Sequence, residues 1–247
     1  MLRTAITGGS LAALCLLPGA ALAQAEAPVL PPLAPLNTQA LIRATGPAPA
    51  ANSQQAREDA AIVRWLQDHR TPEVIANAYQ VLNKPLLRFD VALGANIDED
   101  APLLAGALVQ VADRVIAVQQ QIKVLYKRPR PFVADPQVQP CIPKEPGYAY
   151  PSGHATFYST TGSLLAALLP ERRERLLQVG RSVATNRVSC AMHYPSDIDA
   201  GVRLGQAAAA QIQAMPAWQR FIASPAVQAE VSRLRAVPAA SLPLIVR

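Results

Sequence analysis

An all-α fold, a single helical bundle, is what this sequence predicts, and three observations carry the prediction. Ala and Leu dominate an apolar fraction of 51%, while aromatic residues make up only 5%. That balance favours helix formers over the β-branched and aromatic residues enriched in strands. Over residues 101–126, Leu103, Leu104, Ala107, Leu108, Val111, Val115, Val118 and Ile122 recur at steps of three and four, the period of one helix face. No segment alternates apolar and polar residues as a half-buried strand does, and no internal repeat is visible. A chain of 247 residues suits one domain with a loose N-terminal extension.

Residues 1–23 read as a signal peptide. Arg3 gives the positive start, an apolar stretch runs to Leu22, and Ala21-Leu22-Ala23 has the small-x-small cleavage pattern. An uncleaved anchor is the alternative, against which Gly8, Gly9, Pro18 and Gly19 interrupt the stretch. Leu14 before Cys15 is too large for a lipoprotein site. No later segment reads as a span of about 20 apolar residues, so no membrane insertion is expected after cleavage, and the location is periplasmic or secreted. Cys15 leaves with the signal, and the remaining pair, Cys141 and Cys190, either forms a disulfide or stays as two buried thiols.

Residues 24–57 hold Pro28, Pro31, Pro32, Pro35, Pro47 and Pro49. They read as a Pro/Ala-rich arm without helix, mobile or wrapped over the body. The helical domain, 58–247, opens near Glu58, with Ile62, Trp65 and Leu66 on one face and a stop at Thr71-Pro72. Helices follow at about 72–82, 86–93 and 101–126, the last ended by Pro129 and Pro131. Residues 132–150 form a loop. Further helices are expected from Ser152-Gly153 to Leu169, over 171–192, over 196–215 and from Ser224-Pro225 to about Val237.

The formal charge is +6, with charged residues at 16%. That is thin for a dedicated nucleic-acid binder, which shows a broad basic face. The dense run is Lys123, Lys127, Arg128 and Arg130, and a small anion explains it as well.

Three short segments carry chemistry. Pro151-Ser152-Gly153-His154 opens a helix, whose free N–H groups and dipole suit a phosphate. Ser152 adds a hydroxyl, Gly153 permits close approach, and His154 sits in the first turn; an ordinary capped helix with an incidental histidine is the alternative. Arg187, His193 and Asp197 follow one another at intervals of six and four. A carboxylate on the far ring nitrogen fixes an imidazole's tautomer and stabilises its developing charge, although Asp197 also suits a helix cap. Lys123 and Arg130-Pro131 lie at the end of the long helix; a lysine near a buried face needs an anion. Lys127 and Arg128 read as a solvated helix end. Histidines, acids and cysteines do not fall in metal-ligand spacing, and the dinucleotide fingerprint and P-loop are absent.

Taken in order, these segments resemble the type 2 phosphatidic acid phosphatase superfamily, whose pattern is Lys-x6-Arg-Pro, Pro-Ser-Gly-His and Ser-Arg-x5-His-x3-Asp. The likeness is greatest to class A bacterial non-specific acid phosphatases and covers about residues 100–215. Asn186 departs from the pattern, standing where the family has Ser. The resemblance implies a bundle of the acid phosphatase/vanadium haloperoxidase type. It implies Lys123, Arg130, Ser152, Gly153 and Arg187 as phosphate ligands, His193 as nucleophile, Asp197 as its orienter and His154 as acid. Small phosphorylated substrates are expected, with no cofactor and no metal, and a homo-oligomer is compatible with the chain. A Cys141–Cys190 disulfide is expected, since both cysteines flank this site. Two other readings share the motifs. A vanadium-dependent haloperoxidase is generally a much longer chain, and a pure phosphate binder has no use for His193 and Asp197 opposite His154.

Overall fold

The computed structural model describes residues 29–242; the signal-peptide reading and residues 24–28 of the arm lie outside them. Among the described residues there is no strand. The helices are α1 Thr38–Thr45, α2 Gln54–His69, α3 Pro72–Gln80, α4 Asp90–Leu93, α5 Ile97–Asp100, α6 Pro102–Tyr126, α7 Pro131–Ala134, α8 Gly153–Leu168, α9 Arg173–Ser189, α10 Pro195–Gln213, α11 Pro216–Ile222 and α12 Pro225–Leu234.

The arm differs from expectation. Between Pro35 and Pro47 the chain is free of proline, Asn37 accepts the Ala40 N–H as a cap, and α1 forms there. It is wrapped onto α10: Asn37 N–H donates to Gln211 Oε1 at 2.8 Å, and Arg203 donates to the Thr45 carbonyl at 2.7 Å. Prolines bounding a segment permit a helix that prolines inside it would break.

α8 is the central element, packed by α6, α9 and α10. It is almost wholly buried even though it carries Thr156, Ser159, Thr160 and Thr161. Their hydroxyls find carbonyls: Thr156 bonds Ser152 O and Thr160 bonds Thr156 O, each at 2.8 Å, while Ser159 reaches Val202 O on α10. A buried polar group so satisfied carries little penalty.

The α8–α10 seam is set by glycine. A Cβ on Gly201 would stand 2.6 Å from the Ser152 carbonyl oxygen, and one on Gly205 2.7 Å from Thr156 O. Only a residue without a side chain fits at that separation. The seam holds the start of α10 against the start of α8, where Ser152 N–H donates to Asp197 O at 2.9 Å.

α6 buries Leu104, Leu108, Val111, Val115, Val118 and Ile122 against this centre, worth about 1.5–3 kcal/mol each relative to exposure. Its N-terminus is capped from α12, where the Glu230 carboxylate accepts Leu103 and Leu104 N–H at 3.0 and 2.9 Å. The segment Pro102–Ala134 is long and apolar enough to cross a membrane by length and composition, which corrects the reading that no such stretch exists. In this fold its apolar stripe is the one that packs the bundle.

Candidate active site

α6 stops where the prolines demand it. Lys127 turns left-handed at φ 47° and returns its N–H to Lys123 O at 2.9 Å. Lys123 is thereby left in the last turn with its side chain buried. Its Nζ donates to the Tyr148 and Ala149 carbonyls of the following loop, so backbone carbonyls share the role assigned to an anion. Burial first, then the Arg130 charge, lowers its pKa to about 7.

Arg130 and Arg187 arrive from opposite sides, one just before α7 and one in the last turn of α9. Between them sits Glu145, which the sequence reading missed. Its Oε2 accepts from Arg130 Nη2 at 3.1 Å, and its Oε1 pairs with Arg187 Nη2. Burial alone would raise the Glu145 carboxyl, but Arg187, His154 and Arg130 outweigh it and hold the pKa below the ordinary range. One carboxylate does not exhaust two guanidinium groups. Arg130 Nε and Arg187 Nε and Nη1 are buried without a hydrogen-bond partner.

His193 follows a tight exit from α9, in which Met192 N–H returns to Arg187 O at 2.9 Å and Ala191 is left-handed at φ 56°. Its Nε2 lies 3.4 Å from Arg130 Nη1. Its Nδ1 lies 3.6 Å from Asp197 Oδ2, within ion-pair range but without a hydrogen bond. Burial first, then the Lys123, Arg130 and Arg187 charges, pushes the imidazole well below its ordinary pKa and keeps it neutral. Asp197 is a helix cap, its Oδ2 accepting the Tyr194 N–H at 2.8 Å, and the same oxygen faces His193 Nδ1. Burial pushes its pKa up, against the pull of Arg128.

Arg128 corrects the solvated-end reading. It is buried, donating from Nη1 to Asp197 Oδ1 at 2.6 Å and Ser196 Oγ at 2.7 Å, and from Nη2 to Asp59 Oδ2 at 2.7 Å. Its guanidinium stacks 4.1 Å from the Tyr194 ring centre. Lys127 is exposed, as expected.

His154 projects from the first turn of α8, and its Nε2 lies 3.0 Å from Val81 O and 3.2 Å from Leu82 O. Two carbonyl acceptors require the proton on Nε2, leaving Nδ1 as the other ring atom. Burial and then the Arg187 charge lower its pKa.

Lys123, Arg130, Gly153, His154, His193 and Glu145 line one cavity of about 130 Å³, together with Lys84, Leu82, Ile116 and Gln120. Ser152 and Asp197 stand behind its wall. Ser152 is buried, and its hydroxyl caps Ala155 N–H at 3.4 Å. Gln119, also unforeseen, anchors the same turn by donating to Pro151 O at 2.6 Å. Asn186 lines a different groove, between α3 and α9. Cys141 and Cys190 are bonded, with Cα atoms 4.8 Å apart, tying the Glu145 loop to the His193 turn. Among the described residues no group of three His, Cys, Asp or Glu side chains could hold a metal ion.

A helical bundle bringing an arginine, a buried lysine and two histidines to one cavity, with the buried Arg187 paired to Glu145 of its lining, defines a class of anion site. Residues 103–221, which hold all of these groups except Lys84 and Leu82, match the family model of the PAP2 superfamily, and that segment is a PAP2 superfamily domain. Among curated relatives, a non-specific acid phosphatase of Salmonella typhi is 34% identical over 107 residues, covering 41% of this chain and 42% of that one. One from Providencia stuartii is 30% identical over 139 residues, covering 53% and 56%. An acid phosphatase of Zymomonas mobilis is 32% identical over 116 residues, covering 44% of each. The chain thus spans about half the length of the curated relatives it matches. A transmembrane PAP2-type phosphatidylglycerolphosphate phosphatase from Bacillus subtilis shares the fold, with a TM-score of 0.52 at 18% identity over 71% of this chain and 91% of that one.

Proposed function

We propose that this protein is an exported acid phosphatase that hydrolyses phosphomonoesters through a phosphohistidine, without metal. The observation that carries the reading is the surplus of donors at Arg130 and Arg187. Buried guanidinium nitrogens without partners are costly unless an anion or water completes them, and their fork matches phosphate oxygens. The acid phosphatase relatives support the same chemistry.

The incoming phosphoryl group takes Glu145's place between the arginines, and Lys123 adds charge. These cations offset the negative oxygens that repel a nucleophile. His193 Nε2 attacks phosphorus in line, the ester P–O bond breaks, and His154 gives its proton to the departing oxygen. Water then attacks the phosphohistidine, its proton returns to His154, and the P–N bond breaks to release phosphate. Asp197 holds Nδ1 and stabilises the charge that the ring acquires; its 3.6 Å separation must shorten, as catalytic contacts commonly do on binding. Export is supported by the N-terminal reading and by the Cys141–Cys190 bond.

Rapid-quench labelling with an aryl phosphate in EDTA tests the mechanism. Labelled phosphohistidine should accumulate in the wild type and more so in His154→Ala, which lacks the base for its hydrolysis. His193→Ala should show neither label nor turnover. Label in His193→Ala, or activity that needs an added divalent metal, overturns the reading.

A further inference from the structure

A buried cluster reaches the His193–Asp197 pair from behind the cavity wall, and it starts on α2. Asp59 and Val63 are the buried residues of that helix, one turn apart on its inner face. Asp59 is fully buried, and both of its oxygens are engaged. Its Oδ1 accepts the Ser196 N–H at 3.2 Å, one of the free amides that open α10. Its Oδ2 accepts from Arg128 Nη2 at 2.7 Å and from the Ser196 hydroxyl. Arg128 Nη1 carries the contact on to Asp197 Oδ1 at 2.6 Å. The other Asp197 oxygen, held by the Tyr194 N–H, faces His193 Nδ1. Groups other than the histidine thus fix both oxygens of Asp197.

Asp59 changes the charge that His193 meets. Arg128 and Asp197 alone form a neutral pair, and a neutral pair offers little to a ring that becomes positive. The ring gains that charge when its Nε2 lone pair forms the N–P bond. The P–O bond then breaks with its electrons on the departing oxygen, and the Nδ1 proton stays in place. Lys123, Arg130 and Arg187 already oppose a positive ring. With Asp59 the cluster holds two carboxylates to one guanidinium, a net negative charge in surroundings that water screens poorly. Stability gives no reason for such a cluster, since packed apolar side chains of similar volume serve as well or better.

We propose that Asp59 is a positioning residue for the phosphorylation of His193: through Arg128 it fixes the Asp197 carboxylate and keeps that guanidinium from neutralising it. The proposal rests on the phosphatase reading and extends the working site to α2, outside the segment that matches the PAP2 model.

Rapid-quench kinetics with p-nitrophenyl phosphate test it in Asp59→Asn, which keeps the shape and one oxygen acceptor and removes the charge. The rate constant for forming phosphohistidine should fall about three- to tenfold, the difference between charged and neutral hydrogen-bond partners. The inhibition constant of inorganic phosphate should stay unchanged, because phosphate binds without charging the ring. Vanadate, a mimic of the transition state, should lose affinity by the same factor as the rate. Val63→Ala loosens α2 on the same face without touching the charge; it should lower the thermal midpoint and leave the phosphorylation rate as it is. Ser196→Ala removes the hydroxyl between Asp59 and Arg128 and should show the same split at smaller size, which keeps the test open if Asp59→Asn fails to fold. An unchanged phosphorylation rate in the folded Asp59→Asn, or in Ser196→Ala if that variant must replace it, overturns the proposal. So does a loss that phosphate affinity shares equally, or an equal loss in Val63→Ala. Absence of phosphohistidine in the wild type overturns the phosphatase mechanism itself, a distinct outcome.

Discussion

Arg128 and Arg130 stand two residues apart in one Arg-Pro-Arg-Pro run, both buried, and their surroundings make them opposites. Arg128 is matched by two carboxylates, a hydroxyl and a ring face. Arg130 shares a single carboxylate with Arg187 and keeps a buried nitrogen without a partner. The difference lies in how far the fold engages each donor set, and a spare donor alone does not mark a binding site, since the buried Arg172 keeps an unpartnered Nε as well. Burial and charge are the same in both, and what separates them is whether the protein completes the donor set itself. Asp59, from α2, completes Arg128. Arg130 also donates to the Met192 and Pro146 carbonyls, yet among the described residues no group completes its Nε or the Nε and Nη1 of Arg187, and Glu145 is 33% exposed.

The sharpest way to break this contrast is to truncate both arginines. Arg130→Ala should fold normally and lose about 10²–10³ in kcat/KM, the worth of one preorganised charge on a developing anion. Arg128→Ala should instead lose about 3–5 kcal/mol of stability, because it strands Asp59 and Asp197 as buried, uncompensated charges. Urea unfolding beside phosphate-release assays reads both, and an Arg130 variant as unstable as the Arg128 one would erase the distinction.

The pH dependence gives a smaller effect. Lys123 has its pKa lowered to about 7, so it is charged below that pH and loses its charge as pH rises through it. His154 has a lowered pKa too, and its protonated form belongs to acid solution, whereas His193 stays neutral there. All three place the optimum on the acid side, with kcat/KM falling about tenfold per unit above the Lys123 pKa if that charge is essential. Lys123→Arg keeps the charge at all working pH values and should move that alkaline limb upward. An unmoved limb would assign it to another group.

Glu145→Gln should have the mildest consequence. The amide keeps the shape and loses the charge, so its hold on the arginines weakens and inorganic phosphate should inhibit about three- to tenfold more tightly, the difference between charged and neutral hydrogen bonds. An unchanged inhibition constant would mean that phosphate binds without displacing this side chain.

The sequence made the long helices legible because each has an apolar stripe at helical spacing and, except at the end of α9, a proline within a few residues of its stop. It also exposed the three motif segments, whose residues the fold brings to one cavity or directly behind it. α1 escaped because proline density hid the proline-free stretch between Pro35 and Pro47. Glu145 escaped because its role exists only across the gap between the end of α6 and the end of α9, and one acid in a Pro-rich loop carries no period. Asp59 and Arg128 escaped for the same reason: 69 residues separate them, and Asp59 reads as one more polar residue on an amphipathic helix. Asn186 is the reverse case. Its motif position attracted attention, yet its surroundings are the α3–α9 groove.

The glycine seam sets how this site can change. At Gly201 and Gly205 the neighbours of a new Cβ are carbonyl oxygens and the Ala155 and Ser159 Cβ atoms at 2.6–2.7 Å, and no rotamer change can relieve such a contact. Most buried positions drift through paired substitutions, one side chain shrinking as another grows. Here Ala155 and Ser159 could shrink but the Ser152 and Thr156 carbonyl oxygens cannot, so the first added carbon moves α10 as a rigid body and carries Asp197 away from Ser152 and the start of α8. The interval between the two motifs is therefore calibrated by backbone against backbone, and lineages departing from it must rebuild the helix pair rather than adjust it.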